Sequence, residues 1–216
     1  MTASLHILAA TLLAVPQERV NIPPAELPAA VGDLVRKFVP AGAVTEVTRR
    51  VKGDEEQYGL RIFVAGKIAE AEFDLEPGAP PEGEIEEPVG ETDLPKAVAD
   101  AFRKALPDLP LPRGLRVTAI DEERPDGQVT YVWKLKDPKR TVEIAGDGAM
   151  AKVRRRIAEA ELPAPVRAAI ARDYAEARIR RVEQVVVNAA TTTYEIDVEG
   201  GDDLIATADG RLTVED

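Results

Sequence analysis

The stretch that decides the fold is ELPAPV at residues 161–166, and two similar stretches precede it, ELPAAV at 26–31 and DLPKAV at 93–98. The leucines of the three stretches lie 67 and 68 residues apart, at Leu27, Leu94 and Leu162. A nearly constant spacing of this kind indicates a repeated supersecondary unit. Each copy of the stretch therefore marks one structural unit of the chain.

Each stretch has the features of a helix start. From its leucine, apolar residues follow at every fourth position for about three turns, which is one face of an amphipathic helix. In the third copy this face consists of Leu162, Val166, Ile170 and Tyr174. A proline such as Pro163 comes directly after the leucine, and proline is favoured in the first helical turn. The preceding acid suits the positive end of the helix dipole.

Strand patterns follow each helix. Tyr194, Ile196 and Val198 alternate with polar residues, as on a half-buried strand. The first strand of each unit instead has two apolar residues three positions apart, such as Ile179 and Val182, which indicates a β-bulge. The predicted fold class is α+β, with tandem repeats of one helix packed on a three- to four-stranded antiparallel sheet.

The repeat also predicts how the chain is divided. The predicted segments are a signal peptide or N-terminal helix at 1–20, repeat 1 at 21–78, an acidic Pro-rich linker at 79–92, repeat 2 at 93–157 and repeat 3 at 158–216. The apolar run from Leu5 to Val15 has the length of a signal-peptide core, although no Lys or Arg precedes it. No other segment is long and apolar enough to span a membrane.

The residue types exclude most enzyme chemistry. The chain has no cysteine, and its single serine and single histidine are Ser4 and His6. The body after the apolar run therefore lacks a Ser or Cys nucleophile, a His base and a zinc site built from His or Cys. We predict no catalytic residue, no metal site and no cofactor. A net charge of −11 argues against nucleic acid and anionic membranes as partners.

Two charged segments have alternative interpretations. The stretch from Ile68 to Pro95 contains no Lys or Arg, so it is either an arm that binds a cation or a basic partner, or a strand followed by a solvated linker. The cation ligands would be Glu70, Glu72, Asp74, Glu84 and Glu86. A basic cluster then follows in the chain, and we expect its side chains either to pair with the acidic stretch or to face solvent. Its members are Lys152, Arg154, Arg155 and Arg156.

Two faces are predicted for the second strand of each unit. Tyr58, Tyr131 and Tyr194 occupy equivalent positions, and we expect them to lie under the helices with Trp133. The alternative is an aromatic ladder that stacks against a ligand. The opposite face is predicted to meet solvent and to contact a partner protein. The predicted contact residues are Arg61, Phe63, Val132 and Lys134.

The third copy resembles the PepSY-like family through LPAPVRAAIARDYAEARIRRVEQVVV, TTTYEIDVEG and DLIATADGRL. That family is related in fold to beta-lactamase inhibitory protein and to the propeptide module of thermolysin-type proteases. The resemblance covers residues 26–216 as three copies and weakens towards the first. It implies a helix on an antiparallel sheet, a secreted or periplasmic bacterial protein, no cofactor, and a protein-binding or inhibitory role. The family motifs are structural and carry over no binding residues.

These observations predict a non-enzymatic exported protein-binding module, an inhibitor or modulator of an extracytoplasmic enzyme. Its partner would be a protein, with no nucleic acid and no membrane insertion of the mature chain. An acidic cation-binding or sensing protein of the cell envelope is the alternative from another class. A structural spacer, in which only the number of repeats matters, is the third hypothesis.

Overall fold

The computed structural model describes residues 19–136 and 139–214. The predicted signal peptide or N-terminal helix falls almost entirely in residues 1–18, outside the described residues. Within the described ranges, no helix is long and apolar enough to cross a membrane.

Along the described chain, each α-helix is preceded by a 3-10 turn and followed by four β-strands. The α-helices are α1 (Ala29–Phe38), α2 (Lys96–Ala105) and α3 (Ala164–Asp173). The strands are β1 (Val20–Ile22), β2 (Ala43–Lys52), β3 (Glu55–Val64), β4 (Lys67–Leu75), β5 (Glu82–Val89), β6 (Gly114–Ile120), β7 (Gln128–Lys136), β8 (Lys139–Ala145), β9 (Ala151–Ile157), β10 (Ile179–Val187), β11 (Thr191–Val198), β12 (Leu204–Thr207) and β13 (Leu212–Val214).

The strands form one antiparallel sheet of 13 strands, in which each pairs with its neighbours in sequence. The predicted fold class, tandem repeats of one helix packed on a three- to four-stranded antiparallel sheet, is therefore wrong, because the strands of all the units belong to one sheet. At the first predicted junction β5 pairs with β6, from Gly83 opposite Ile120 to Val89 opposite Gly114. At the second, β9 pairs with β10. The edge strand of one unit needs partners for its N–H and C=O groups, and the next unit supplies them.

The acidic segment 79–92 contains a strand where a linker was predicted, because residues 82–89 form β5. Ile85 is fully buried in the sheet, while its neighbours Glu84 and Glu86 lie on the opposite face. Alternation of apolar and acidic residues is a strand pattern, but here a single apolar residue, Ile85, stands between the acids, and prolines lie on both sides at Pro81 and Pro88. The other predicted boundaries remain a prediction.

The three α-helices pack on the same face of the sheet, each over its own group of buried side chains. Val31 and Val35 of α1 belong to the first core, and Phe102 of α2 lies 4.9 Å from the Trp133 ring, centroid to centroid. Ile120 of β6 belongs to the first core although it follows α2 in sequence. The cores are therefore linked across the predicted unit boundary.

The equivalent tyrosines lie beneath the helices, as predicted, and so does Trp133. An exposed aromatic ladder for ligand stacking is thereby excluded. Trp133 is fully buried, and its Nε1–H donates to the carbonyl oxygen of Pro112 at 3.1 Å. These aromatic rings are core residues rather than a ligand site.

Tyr58 joins the core to a small charged network. Its hydroxyl donates to the Glu56 carboxylate, which also accepts from the Arg49 guanidinium. Burial, together with the hydrogen bond to Glu56, raises the pKa of Tyr58 to about 12. The hydrogen bond from Tyr58, and then that from Arg49, lowers the pKa of Glu56.

Alkaline pH is therefore expected to destabilise the protein through Tyr58. Because the folded pKa lies above the ordinary tyrosine value of 10.0, the protonated phenol favours the folded state. This contribution is complete below pH 10 and is lost as the pH rises towards 12. Absorbance titration at 295 nm should show a late-ionising tyrosine that Tyr58→Phe removes. Identical titrations of the two proteins, with equal loss of stability at high pH, would contradict this expectation.

The repeated stretch begins each α-helix one residue later than predicted. The proline is the N-cap residue rather than part of the first turn, at Pro28, Pro95 and Pro163. The acids of the second and third copies cap the preceding 3-10 turn instead of facing the helix dipole. The Asp93 carboxylate accepts from the Gly90 N–H, and the Glu161 carboxylate accepts from the Ala158 N–H, both at 2.8 Å.

The predicted β-bulge is confirmed in two of the three units. The register of β2 against β3 shifts between Val44 and Glu46, and that of β10 against β11 shifts between Ile179 and Arg181. The pairing of β6 with β7 continues without a shift. The same spacing of apolar residues is therefore compatible with a regular strand in the second unit.

Candidate protein-binding surface

We call the face of the sheet opposite the helices the open face. Alternate residues of each strand point to it, because successive side chains of a strand lie on opposite faces. In the described part of the chain, the three α-helices all pack on the other face. A partner can therefore reach the open face without displacing a helix.

An apolar row crosses strands β3 to β7 on the open face. Phe63 lies opposite Ile68, and Pro88 lies opposite Leu115, which lies opposite Val132. Ile68 on β4 and Pro88 on β5 bring the two parts of the row together, because each lies two residues beyond the last registered pair of these strands, Glu70 opposite Glu86. We call Phe63, Ile68, Pro88, Leu115 and Val132 the apolar row. Phe63 is 48% exposed, and the other members are exposed or half-buried.

All four predicted partner residues are on the open face. Phe63 and Val132 lie in the apolar row on β3 and β7, about 19 Å apart at the usual strand spacing. Arg61 lies beside Phe63, and its Nη1 is 3.2 Å from the Glu46 Oε1. Lys134 is exposed beside Val132. The row connects the two pairs, but their role in binding stays a prediction.

The five predicted cation ligands also lie on the open face, along β4 and β5. Their strands place carboxylates directly opposite one another, as Glu70 and Glu86, Glu72 and Glu84, and Asp74 and Glu82. Within the described residues, no group of three or more His, Cys, Asp or Glu side chains is arranged to hold a metal ion. The carboxylates form a ladder along two strands instead of converging on a point.

A shallow groove of about 330 Å³ lies between this ladder and β2. Gly59 of β3 is at its base, and a Cβ atom there would lie 2.7 Å from the Thr48 Oγ1. The walls are mainly charged and include Glu46, Arg61 and Glu72. A glycine inside an otherwise regular strand pattern is the sequence signal for this close approach, and sequence reasoning did not use it.

The basic cluster is mostly neutralised within the sheet. Arg154 on β9 lies among three carboxylates, with the Glu143 Oε1 at 3.6 Å, the Glu183 Oε2 at 3.8 Å and Glu195 in hydrogen-bond contact. Lys152 also pairs with Glu195, at 3.6 Å. Pairing with the acidic stretch, one of the two predicted alternatives, therefore does not occur for Arg154. Its partners come from β8, β10 and β11.

Sequence reasoning missed three members of the apolar row. Ile68, Pro88 and Leu115 lie at the starts or ends of their strands, where alternation is too short to assign a face. Only the pairing of β5 with β6 places Pro88 and Leu115 beside Val132. Assignment of this pairing from sequence would have required recognition of β5 as a strand.

The segment from β7 to β13 matches a known family. Residues 130–213, which include α3, match the family model described as "Putative beta-lactamase-inhibitor-like, PepSY-like". The match is one segment covering less than half of the chain, so it supports the predicted family without showing three copies. No curated protein matches the chain. Over residues 130–213, this chain is similar to the beta-lactamase-inhibitor-like, PepSY-like family.

Proposed function

We propose that this protein is a non-enzymatic binding module that acts outside the cytoplasm and inhibits or modulates an enzyme by binding it through the open face. The apolar row is the observation that carries the proposal. A band of apolar side chains across a sheet face that no described helix covers is a feature of protein interfaces, whereas scattered exposed apolar residues are ordinary. Phe63 is its most prominent member, with about half of its surface exposed.

The shape and charge of the open face favour a protein over a small molecule. Small-molecule sites are concave and enclose most of their ligand, whereas the groove at Gly59 is shallow and is lined mainly by charged residues. Charged side chains border the apolar row, with Arg61 at one end and Lys134 at the other. An apolar centre with a polar rim is the usual arrangement of a protein–protein interface.

The likeness of residues 130–213 to an inhibitor-like family supports an inhibitory role. The same likeness supports a location in the periplasm or outside the cell, where relatives of this type act. A catalytic role has little support, because the described residues include no serine or cysteine nucleophile and no histidine base. The proposed function is therefore binding.

Aspartate at both ends of the apolar row should strongly weaken partner binding. We expect the Phe63→Asp/Val132→Asp double variant to bind its partner at least about 30-fold more weakly, as for loss of an interface hot spot. Binding is measured by capture from periplasmic extract on immobilised protein, followed by titration of the purified partner. The rate of substrate hydrolysis by purified serine β-lactamases and secreted metalloproteases, with and without the protein, measures inhibition.

Met150→Asp is the matched control, because Met150 is 45% exposed but lies in the turn before β9, outside the apolar row. It should bind like the wild type. Circular dichroism verifies that each variant is folded. Equal capture by the wild type and the double variant would refute binding through the open face. Absence of any effect on the partner's activity would refute the inhibitory role alone.

A further inference from the structure

Two groups of like charges on the open face have no ion-pair partner within the described chain. The acidic patch occupies β4 and β5 and consists of Glu70, Glu72, Asp74, Glu82, Glu84 and Glu86. The basic patch occupies β7, β8 and β9 and consists of Lys134, Lys136, Lys139 and Arg156. Nearly all of these side chains are exposed, and none forms a salt bridge with another described residue.

This arrangement costs the isolated chain stability. Like charges directly opposite each other on neighbouring strands are destabilising, and three carboxylate pairs of the acidic patch are so placed. Lys136 and Lys139 are likewise opposite each other. Elsewhere on the same face, Arg154 is surrounded by three carboxylates. The sheet can therefore balance its charges internally, but at these two patches it does not.

The two patches lie on opposite sides of the apolar row. On β4 the acids follow Ile68 in the direction of Leu75, and on β5 they precede Pro88. On β7 the lysines follow Val132, so they lie on the side of the row away from the acids. Because the patches centre on β4–β5 and on β7–β9, the midpoint between them falls on β6, close to Leu115.

We propose that the open face binds a second copy of this chain. A twofold axis in the interface, crossing the apolar row obliquely near Leu115, brings each acidic patch opposite the basic patch of the other copy. Apolar side chains near the axis then face their own counterparts, as in any isologous interface. Since each copy carries a net charge of −11, long-range repulsion opposes pairing. The pairing therefore depends on the local complementarity of the patches.

Pairing would also regulate the proposed partner binding, a consequence that rests on the proposed function. The second copy covers Phe63 and Val132, so copies and partner compete for the same residues. At high concentration the protein is then dimeric and its binding surface is covered. Dilution to monomers exposes that surface.

Charge reversal tests the pairing without any partner protein. Sedimentation equilibrium over a concentration series should show a monomer–dimer equilibrium for the full chain. Glu72→Lys/Glu84→Lys removes most of the net negative charge of the acidic patch, and Lys136→Glu/Lys139→Glu removes the net positive charge of the basic patch. Each variant alone should dimerise at least about tenfold more weakly. An equimolar mixture should dimerise more strongly than either variant alone, because the intact basic patch of the first variant then faces the intact acidic patch of the second.

Lys96→Glu/Lys104→Glu on α2 is the control, since it makes the same charge change as the lysine reversal on the helix-covered face. It should dimerise like the wild type. The proposal is overturned if the wild type stays monomeric up to its solubility limit. It is also overturned if the mixture of reversed variants does not associate, even though each variant is folded by circular dichroism. Either result would leave the partner-binding experiment unaffected, because that experiment measures a different complex.

Discussion

Replacing Trp133 with alanine should lower the free energy of unfolding by about 3–5 kcal/mol. Trp133 is fully buried between β7 and α2, where its ring packs against Phe102. Gly114 of β6 also lies against it, since a Cβ atom there would be 2.5 Å from the indole Nε1. The truncation therefore leaves a large cavity in the middle core, and the Pro112 carbonyl oxygen loses its hydrogen-bond donor.

Urea unfolding followed by far-ultraviolet circular dichroism measures this loss. Trp133 is the only tryptophan of the chain, so fluorescence cannot report on the variant. Phe63→Ala is the control, because it truncates an aromatic residue that is 48% exposed and should change stability by only about 0.5 kcal/mol. Equal losses for the two variants would contradict the assignment of Trp133 to the core.

Strand pairing between neighbouring cores predicts that the loss of stability caused by Trp133→Ala affects the whole sheet. The middle core is joined to the first through the pairing of β5 with β6, and to the third through the pairing of β9 with β10. We therefore expect Trp133→Ala to move one transition to lower urea. If an early transition separated from an unchanged later one, the cores would unfold as independent units.

Local elements were largely predictable from sequence because their signals are local. The spacing of four after Leu162 located α3, and the alternation at Tyr194 located β11 and its buried face. The buried positions of Tyr58 and Tyr131 followed from the same alternation. These predictions needed only the period of a helix or strand.

The strand pairings that join the units into one sheet were not predictable, because they depend on which edges meet. Helix and strand periods are the same in a four-stranded sheet and in one of 13 strands. The clearest sign of the first junction is Ile85, a buried side chain between acids. Without β5, neither the apolar row nor the separation of the two charged patches could be derived. Only Phe63 and Val132 were found from sequence, because alternation assigns them to the face opposite Leu60 and Trp133.

In two hairpin turns, a glycine packs closely against the backbone of a helix. Gly148, in the turn between β8 and β9, has a φ of +75°, and a Cβ atom there would lie 2.7 Å from the backbone carbonyl of Ala97 in α2. Gly210, in the turn between β12 and β13, has a φ of +91° and approaches the Pro165 carbonyl oxygen of α3 equally closely. Gly78, at the corresponding turn after β4, has a φ of +85° but open space around it.

Gly148→Ala and Gly210→Ala should therefore each destabilise the protein by about 3 kcal/mol, whereas Gly78→Ala should cost only about 1 kcal/mol. All three substitutions place a side chain at positive φ. The additional loss of stability at Gly148 and Gly210, relative to Gly78, therefore measures the contact between turn and helix. Urea midpoints compare the three variants. If Gly78→Ala lost as much as the others, backbone strain alone would account for the effect. The packing of α1 should not depend on a glycine in the turn after β4. Its contact with a turn is at the C-terminal end of the helix, where the Lys37 Nζ donates to the Pro125 carbonyl oxygen at 2.9 Å.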